Sequence, residues 1–319
     1  MINMKKIVFC AFLFLSLFLL ISCSETEGLL YAEDGDGYAV VKYIGGDLDV
    51  VIPATHSGKK VVSIGEKAFY TSDEVNYLQT VKIPNTVTKI DNFAFYDCEY
   101  LNRIDLPKKL QKIGNAAFRY CSNLASVAIP AGVSEIGNSA FRDCTGIKNV
   151  SIGSGVKIIP ENAFSGCTGI SKVTIGSGVT EIGKNAFYEC SGFTSITIPD
   201  TVVTIGDGAF CGCYGLTDVS IGNGVTKIGE NAFYRCSGFT SITIPDSIVT
   251  IGNNAFNSCY GLYDVFIGTG IRTIGAYAFA NCSRLNNIVY NGKKEAWNAV
   301  DKQTGWVQNS GTYTVSMKK

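Results

Sequence analysis

The sequence is poor in charge: Asp, Glu, Lys and Arg make up 17% of 319 residues, against about 25% in an ordinary soluble protein. Lys plus Arg and Asp plus Glu number 27 each. No positive field therefore exists to gather phosphates, and generic nucleic-acid binding is disfavoured. Histidine is nearly missing, with His56 standing alone. That nearly removes multi-histidine metal centres and leaves any histidine-dependent triad a single candidate. His56 falls in the irregular stretch Thr55-His56-Ser57-Gly58 with no nucleophile to orient, and reads as a loop residue. After residue 23 no apolar run is long enough to span a bilayer as a helix.

Hydrophobic residues, at 46%, are plentiful enough for a folded core. The first apolar run is a leader. Lys5 and Lys6 precede Ile7 to Ile21, which is apolar except for Ser16 and too short to cross roughly 30 Å of hydrocarbon comfortably. It ends in Leu20-Ile21-Ser22-Cys23, which resembles the lipobox of bacterial lipoproteins. The resemblance implies cleavage before Cys23 and acylation of that cysteine, an anchor held at about 0.8 kcal/mol per buried methylene. It also implies an exported protein lipid-anchored to the cell envelope. Ser24 after the cysteine favours the outer membrane or cell surface. The mature net charge is 25 − 27 = −2.

The rest of the chain repeats. Cys98, Cys121, Cys144, Cys167, Cys190, Cys213, Cys236, Cys259 and Cys282 stand 23 residues apart, each preceded by an Ala-Phe pair. Ten isoleucines, from Ile64 and Ile90 to Ile251 and Ile274, form another column. Asn185 to Gly206 almost duplicates Asn231 to Gly252, a longer echo of 46 residues. Within one coil, Val150 and Ile152 alternate with polar neighbours, the signature of a half-buried strand. Gly153, or Pro84, Pro107 and Pro130 in other coils, ends it. Val156 and Ile159 re-enter the core, and Glu161-Asn162-Ala163-Phe164 is expected to begin a short helical turn closing at Cys167. A fixed return stacks parallel strands, and the coils bury a continuous core together. The expectation is an α/β repeat solenoid with a parallel strand on one face and a short helical turn on the other.

The pattern Leu-x-x-Val-x-Ile-Pro, Val-x-x-Ile-Gly, Ala-Phe-x-x-Cys resembles the BspA-type leucine-rich repeat of bacterial surface proteins, over about 240 residues. Asp36 to Tyr43 is similar to that family's N-terminal hairpin, and Val289 to Gly292 with Trp297 and Trp306 to its closing cap. Four regions are expected: a signal peptide (1–22), a tether and hairpin cap (23–48), a leucine-rich-repeat solenoid of about ten coils (49–290) and a C-terminal cap (291–319). The asparagine ladder of other leucine-rich repeats is not assumed, since no asparagine recurs regularly after the strand. The first coil carries Ser72 where others have cysteine.

Several motifs have plain readings. Stacked cysteines point the same way at the coil spacing, not with Cβ atoms about 3.8 Å apart, and supply one ligand per coil, so buried thiols are expected in place of disulfides or a metal. Cys211 takes the slot filled by Tyr188 and Tyr234 and is expected to face solvent. Asp34-Gly35-Asp36-Gly37 lacks the later acidic ligands of a calcium loop and reads as a hairpin turn. Gly153-Ser154-Gly155 and Gly176-Ser177-Gly178 recur with the coil as turn residues do.

Two exposed rows remain. The outward strand face carries Lys172, Thr174, Ser195, Thr197, Asp218, Ser220, Ser241, Thr243, Asp264 and Phe266, free of core duty. The turn side carries Tyr96, Tyr120, Arg142, Tyr188, Tyr234 and Arg235, residue types favoured at interfaces. No nucleophile, base and stabiliser converge in one coil, so no enzyme, cofactor or metal is expected. Binding of a protein ligand is expected instead, and the family resemblance implies host extracellular-matrix or other cell-surface proteins. The alternatives are an envelope scaffold and a glycan-binding module, the latter usually wanting aromatic rings on its face.

Overall fold

The computed structural model describes residues 26–71 and 76–317. The leader, Cys23 and Ser72 lie outside the described residues. Alternation builds the first element of each coil: Asn149–Ile152 and Ser195–Ile198 run exposed, buried, exposed, buried. β-Branched residues suit such a pleated, half-solvated strand. Twelve strands of this kind recur from Asp49–Val51 to Thr314–Met317. They pair in parallel and without slippage, so Ser126 lies beside Asn149 and Asn149 beside Lys172. Hydrogen bonding divides this row into ladders of two to four strands.

The isoleucine column forms a second row of its own. Ile158–Ile159, Glu181–Ile182 and Thr204–Ile205 are two-residue strands, again parallel and in register. Every isoleucine of the column is buried. The sequence reading put these residues in the core without assigning a sheet, because two residues carry no alternation to read.

The return side is built of tight turns, not α-helix. Ala163, Ser165 and Cys167 donate their N–H groups three residues back, while Asn162, Phe164 and Gly166 donate to Lys184, Ala186 and Tyr188 of the next coil. Two left-handed residues in the coil, Asn162 at φ 56° and Gly166 at φ 74°, prevent a helix from propagating. The turn side therefore contributes an inter-coil ladder where a helix would have bonded only to itself.

These ladders hold identical side chains over one another. From Phe69 to Phe279, successive rings of the Ala-Phe column stack 4.7–5.5 Å apart and within 13° of parallel. All ten rings are buried. Trp306 meets the last of them edge-on at 6.3 Å. The paired glycines answer the same closeness: a Cβ at Gly178 would stand 1.7 Å from the Ser154 carbonyl oxygen of the previous coil.

At the N-terminal end, β1 (Leu29–Asp34) and β2 (Gly37–Tyr43) form an antiparallel hairpin closed by Asp34 opposite Gly37, with Gly35 left-handed. The strand Lys59–Ile64 continues in parallel from β2. His56, expected in a loop, lies in the two-residue strand Thr55–His56 with its ring 3.9 Å from that of Tyr31. At the other end the helix Lys294–Asn298 precedes one more turn of the solenoid. Asp301–Lys302 pairs with Thr273–Ile274, and Thr314–Met317 with Asn287–Tyr290, both in parallel.

Candidate binding surfaces

The cysteine column is buried, as expected, and the structure adds a role for its thiols. Each donates to the phenylalanine carbonyl of the preceding coil: Cys144 to Phe118 at 2.9 Å, Cys167 to Phe141 at 3.0 Å, Cys190 to Phe164 at 3.1 Å. Burial pushes these thiols well above their ordinary range, so they stay protonated. The expectation for Cys211 needs correcting. It is half-buried between coils, and burial followed by the Glu189 carboxylate pushes its thiol up to about 11. A thiol so shifted is a poor nucleophile near neutral pH.

A partial ladder of Asn and Asp side chains also appears. Asn92 Oδ1 accepts from the Asn115 N–H and Asn115 Oδ1 from the Asn138 N–H, both at 2.8 Å. Asp207, Asn253, Asp200 and Asp246 accept likewise across 23 residues. The signal was present in the sequence in two places: Asn92, Asn115, Asp207 and Asn253 stand two residues after an Ile column position, and Asp200 and Asp246 stand two residues after a long strand ends.

The outward strand face holds its register within each ladder. Ser195 sits beside Asp218 and Thr197 beside Ser220; further along, Ser241 adjoins Asp264 and Thr243 adjoins Phe266. Lys172, Thr174 and the residues from Ser195 to Thr243 are exposed, whereas Asp264 and Phe266 are half-buried. Among the described residues, the side chains of Lys172, Thr174, Ser195, Thr197, Asp218, Ser220, Ser241 and Thr243 make no hydrogen bond or ion pair. Asp264 is engaged, accepting from Asn287 Nδ2 at 2.7 Å.

The turn side is already committed to itself. Tyr70, Tyr96 and Tyr120 meet edge-to-face at 5.4 and 5.5 Å. Arg119 lies 4.6 Å from the Tyr120 ring centre and donates to its hydroxyl at 2.7 Å. Asp143 Oδ2 draws in Arg142 at 3.3 Å and Arg119 at 3.8 Å. Further along, Arg235 lies over Tyr234 at 5.2 Å, and a hydrogen bond to Glu189 raises the Tyr188 hydroxyl. Tyr96, Tyr120, Arg142, Tyr188 and Tyr234 are all half-buried, and Arg235 is exposed. The structure thus gathers this row into two paired clusters and leaves the strand face unpaired from Lys172 to Thr243.

Comparison with known families decides the grouping. The profile described as BspA type leucine rich repeat region matches residues 62–194 and 180–299, in six copies. The chain belongs to the BspA-type leucine-rich repeat family. A leucine-rich repeat protein from Eubacterium ventriosum is 21% identical with a TM-score of 0.51, over 91% of this chain and 94% of its own, and shares the fold. A leucine rich cell surface protein from Faecalibacterium prausnitzii is 27% identical with a TM-score of 0.47, over 88% and 97%. A T. pallidum leucine rich repeat protein is 28% identical with a TM-score of 0.45, over 60% and 90%. No curated protein matches. Membership of this surface-protein family is consistent with a protein-binding repeat module.

Proposed function

We propose that this BspA-type protein is exported, anchored through a lipid on Cys23, and works by binding another protein along its outward strand face. The observation that carries this reading is the row of outward side chains from Lys172 to Thr243, exposed and, among the described residues, free of hydrogen-bond partners. A partner meeting it pays no cost of breaking existing contacts, whereas Tyr120, Arg142 and Tyr234 on the turn side must first leave theirs. Host extracellular-matrix proteins and proteins of other cells are the ligands this reading assigns.

Immobilised matrix proteins offered to purified protein test it. Alanine changes at Lys172, Thr174, Thr197 and Asp218 are expected to weaken capture about tenfold or more together, each deleted hydrogen bond to a charged or polar group contributing about 0.5–3 kcal/mol. Changes at Tyr188 and Tyr234 should leave capture intact. The reverse pattern would move the site to the turn side. Protease shaving of intact cells addresses placement: resistance until lysis favours a scaffold inside the envelope over a surface ligand-binder.

A further inference from the structure

The N-terminal end of the solenoid exposes large apolar side chains where an end cap is ordinarily polar, with Asp47 and Asp49 exposed among them. β1 is the outermost strand of the isoleucine ladder and Asp49–Val51 the outermost of the long-strand row. Residues 44–49, which lead from β2 into Asp49–Val51, are exposed throughout. Ile44 is 65% exposed, Leu48 45%, Leu30 on β1 44% and Tyr77 57%. They share one end: the Ile44 N–H donates to Gly28 at 2.9 Å, and the Gln79 N–H donates to Leu48 at 2.7 Å. Tyr77, Gly45 and Asp47 line one cavity of about 430 Å³. Terminal repeats normally turn a polar outer surface to water, so large apolar side chains exposed at this end call for an occupant.

The length of chain before it says which. Thr26 is fixed to this end, its Oγ1 accepting from the Val51 N–H at 2.7 Å. Two residues, Ser24 and Glu25, lie between it and Cys23, so three chain steps reach about 11 Å at full extension. The anchoring of Cys23 is the reading on which this inference rests. A headgroup layer is roughly 5–7 Å deep on each side of the hydrocarbon, so a lipid on Cys23 brings this end to the membrane. We infer that the end formed by Leu30, Ile44, Leu48 and Tyr77 seats in the lipid interface, standing the solenoid on the bilayer. Residues 26–71 carry four lysines and seven acids, net −3. Asp47 and Asp49 lie within the seat, so its apolar side chains carry the contact and anionic lipid weakens it. A tyrosine at its rim suits the interfacial level, where an apolar ring and a polar tip are both satisfied.

Amide hydrogen exchange on the full acylated protein in phosphatidylcholine vesicles tests this, against the Cys23→Ser protein free in solution. Exchange at residues 28–31 and 44–49 is expected to slow about tenfold on vesicles, and less with phosphatidylglycerol added. Ile44→Ser with Leu48→Ser, both exposed, should abolish that protection while the protein stays vesicle-bound and exchanges normally elsewhere. Unchanged exchange on the vesicles overturns the seat although the anchor stands. Equal protection without vesicles, with sedimentation as a dimer, overturns it in favour of a second copy. Mass spectrometry of the Cys23 peptide from cells separates the two readings: an unmodified cysteine removes the anchor itself.

Discussion

A phenylalanine ring at each coil gives up its freedom once and is repeated ten times, so its column sets the scale of side-chain energetics. Phe164 is wholly buried and contacts rings at 5.3 and 5.4 Å on either side. Truncating it leaves a hole that two rigid neighbours cannot fill. Phe164→Ala is expected to cost about 3–5 kcal/mol, read as a lowered denaturation midpoint. The thiols give a pH signature of opposite character. Nine column cysteines are held neutral in the fold, while unfolded thiols ionise from about pH 9. Below that pH both states are protonated and nothing is lost. Above it the unfolded state binds fewer protons than the native one, so stability falls as pH rises, at about 1.4 kcal/mol per pH unit for each thiol. A steep alkaline unfolding transition is expected, flattened by each Cys→Ala change in the column. Denaturation curves collected from pH 7 to 10.5 check it, and a flat profile contradicts the buried thiol ladder. Burial of Phe and Cys was legible because a 23-residue repeat of apolar residues has no other use. The half-burial of Cys211 was not, since it depends on how Tyr188 and Tyr234 pack around that slot.

At the scale of elements, the long strands announced themselves through Val150, Ile152 and their polar neighbours. The return segment did not, because local propensity and tertiary pairing compete there. A start such as Pro160-Glu161 is compatible with a helix, but the left-handed column holds Asn162, Asn185, Gly208, Asn231 and Asn254 in its middle, residue types that tolerate this conformation, and Lys67, Phe93, Ala116, Ser139 and Tyr277 toward its ends. That enrichment is visible in the sequence once the coils are aligned by the Phe column. Its energetic content is testable at Asn231, φ 54°. Asn231→Gly keeps the conformation at little cost. Asn231→Val forces a β-branched side chain into it and is expected to cost about 1–2 kcal/mol more. Equal melting temperatures for the two variants would contradict the left-handed assignment.

For the whole molecule, each coil contacts only its neighbours, so stability grows by addition along the stack. Twelve long strands at about 4.8 Å make a row roughly 55 Å long. Register alone decides which deletions such a row accepts. Removing residues 185–230 takes out 46 residues and joins Lys184 to Asn231. The coil ending at Lys184 then meets Asn231 to Gly252, nearly identical to the Asn185 to Gly206 segment it met before, so its Phe, Cys and Ile columns close without a gap. Loss of the two coils should lower stability by roughly 2–7 kcal/mol, from about 0.05–0.15 kcal/mol for each residue removed. Removing only residues 185–219 deletes less chain but breaks the 23-residue phase, sending core positions to the surface. That shorter deletion is expected to abolish the cooperative thermal transition in circular dichroism, while the longer one keeps it. If the larger deletion were the more damaging, stability would follow chain length, and stacking of equivalent residues would lose its place as the organising force of this molecule.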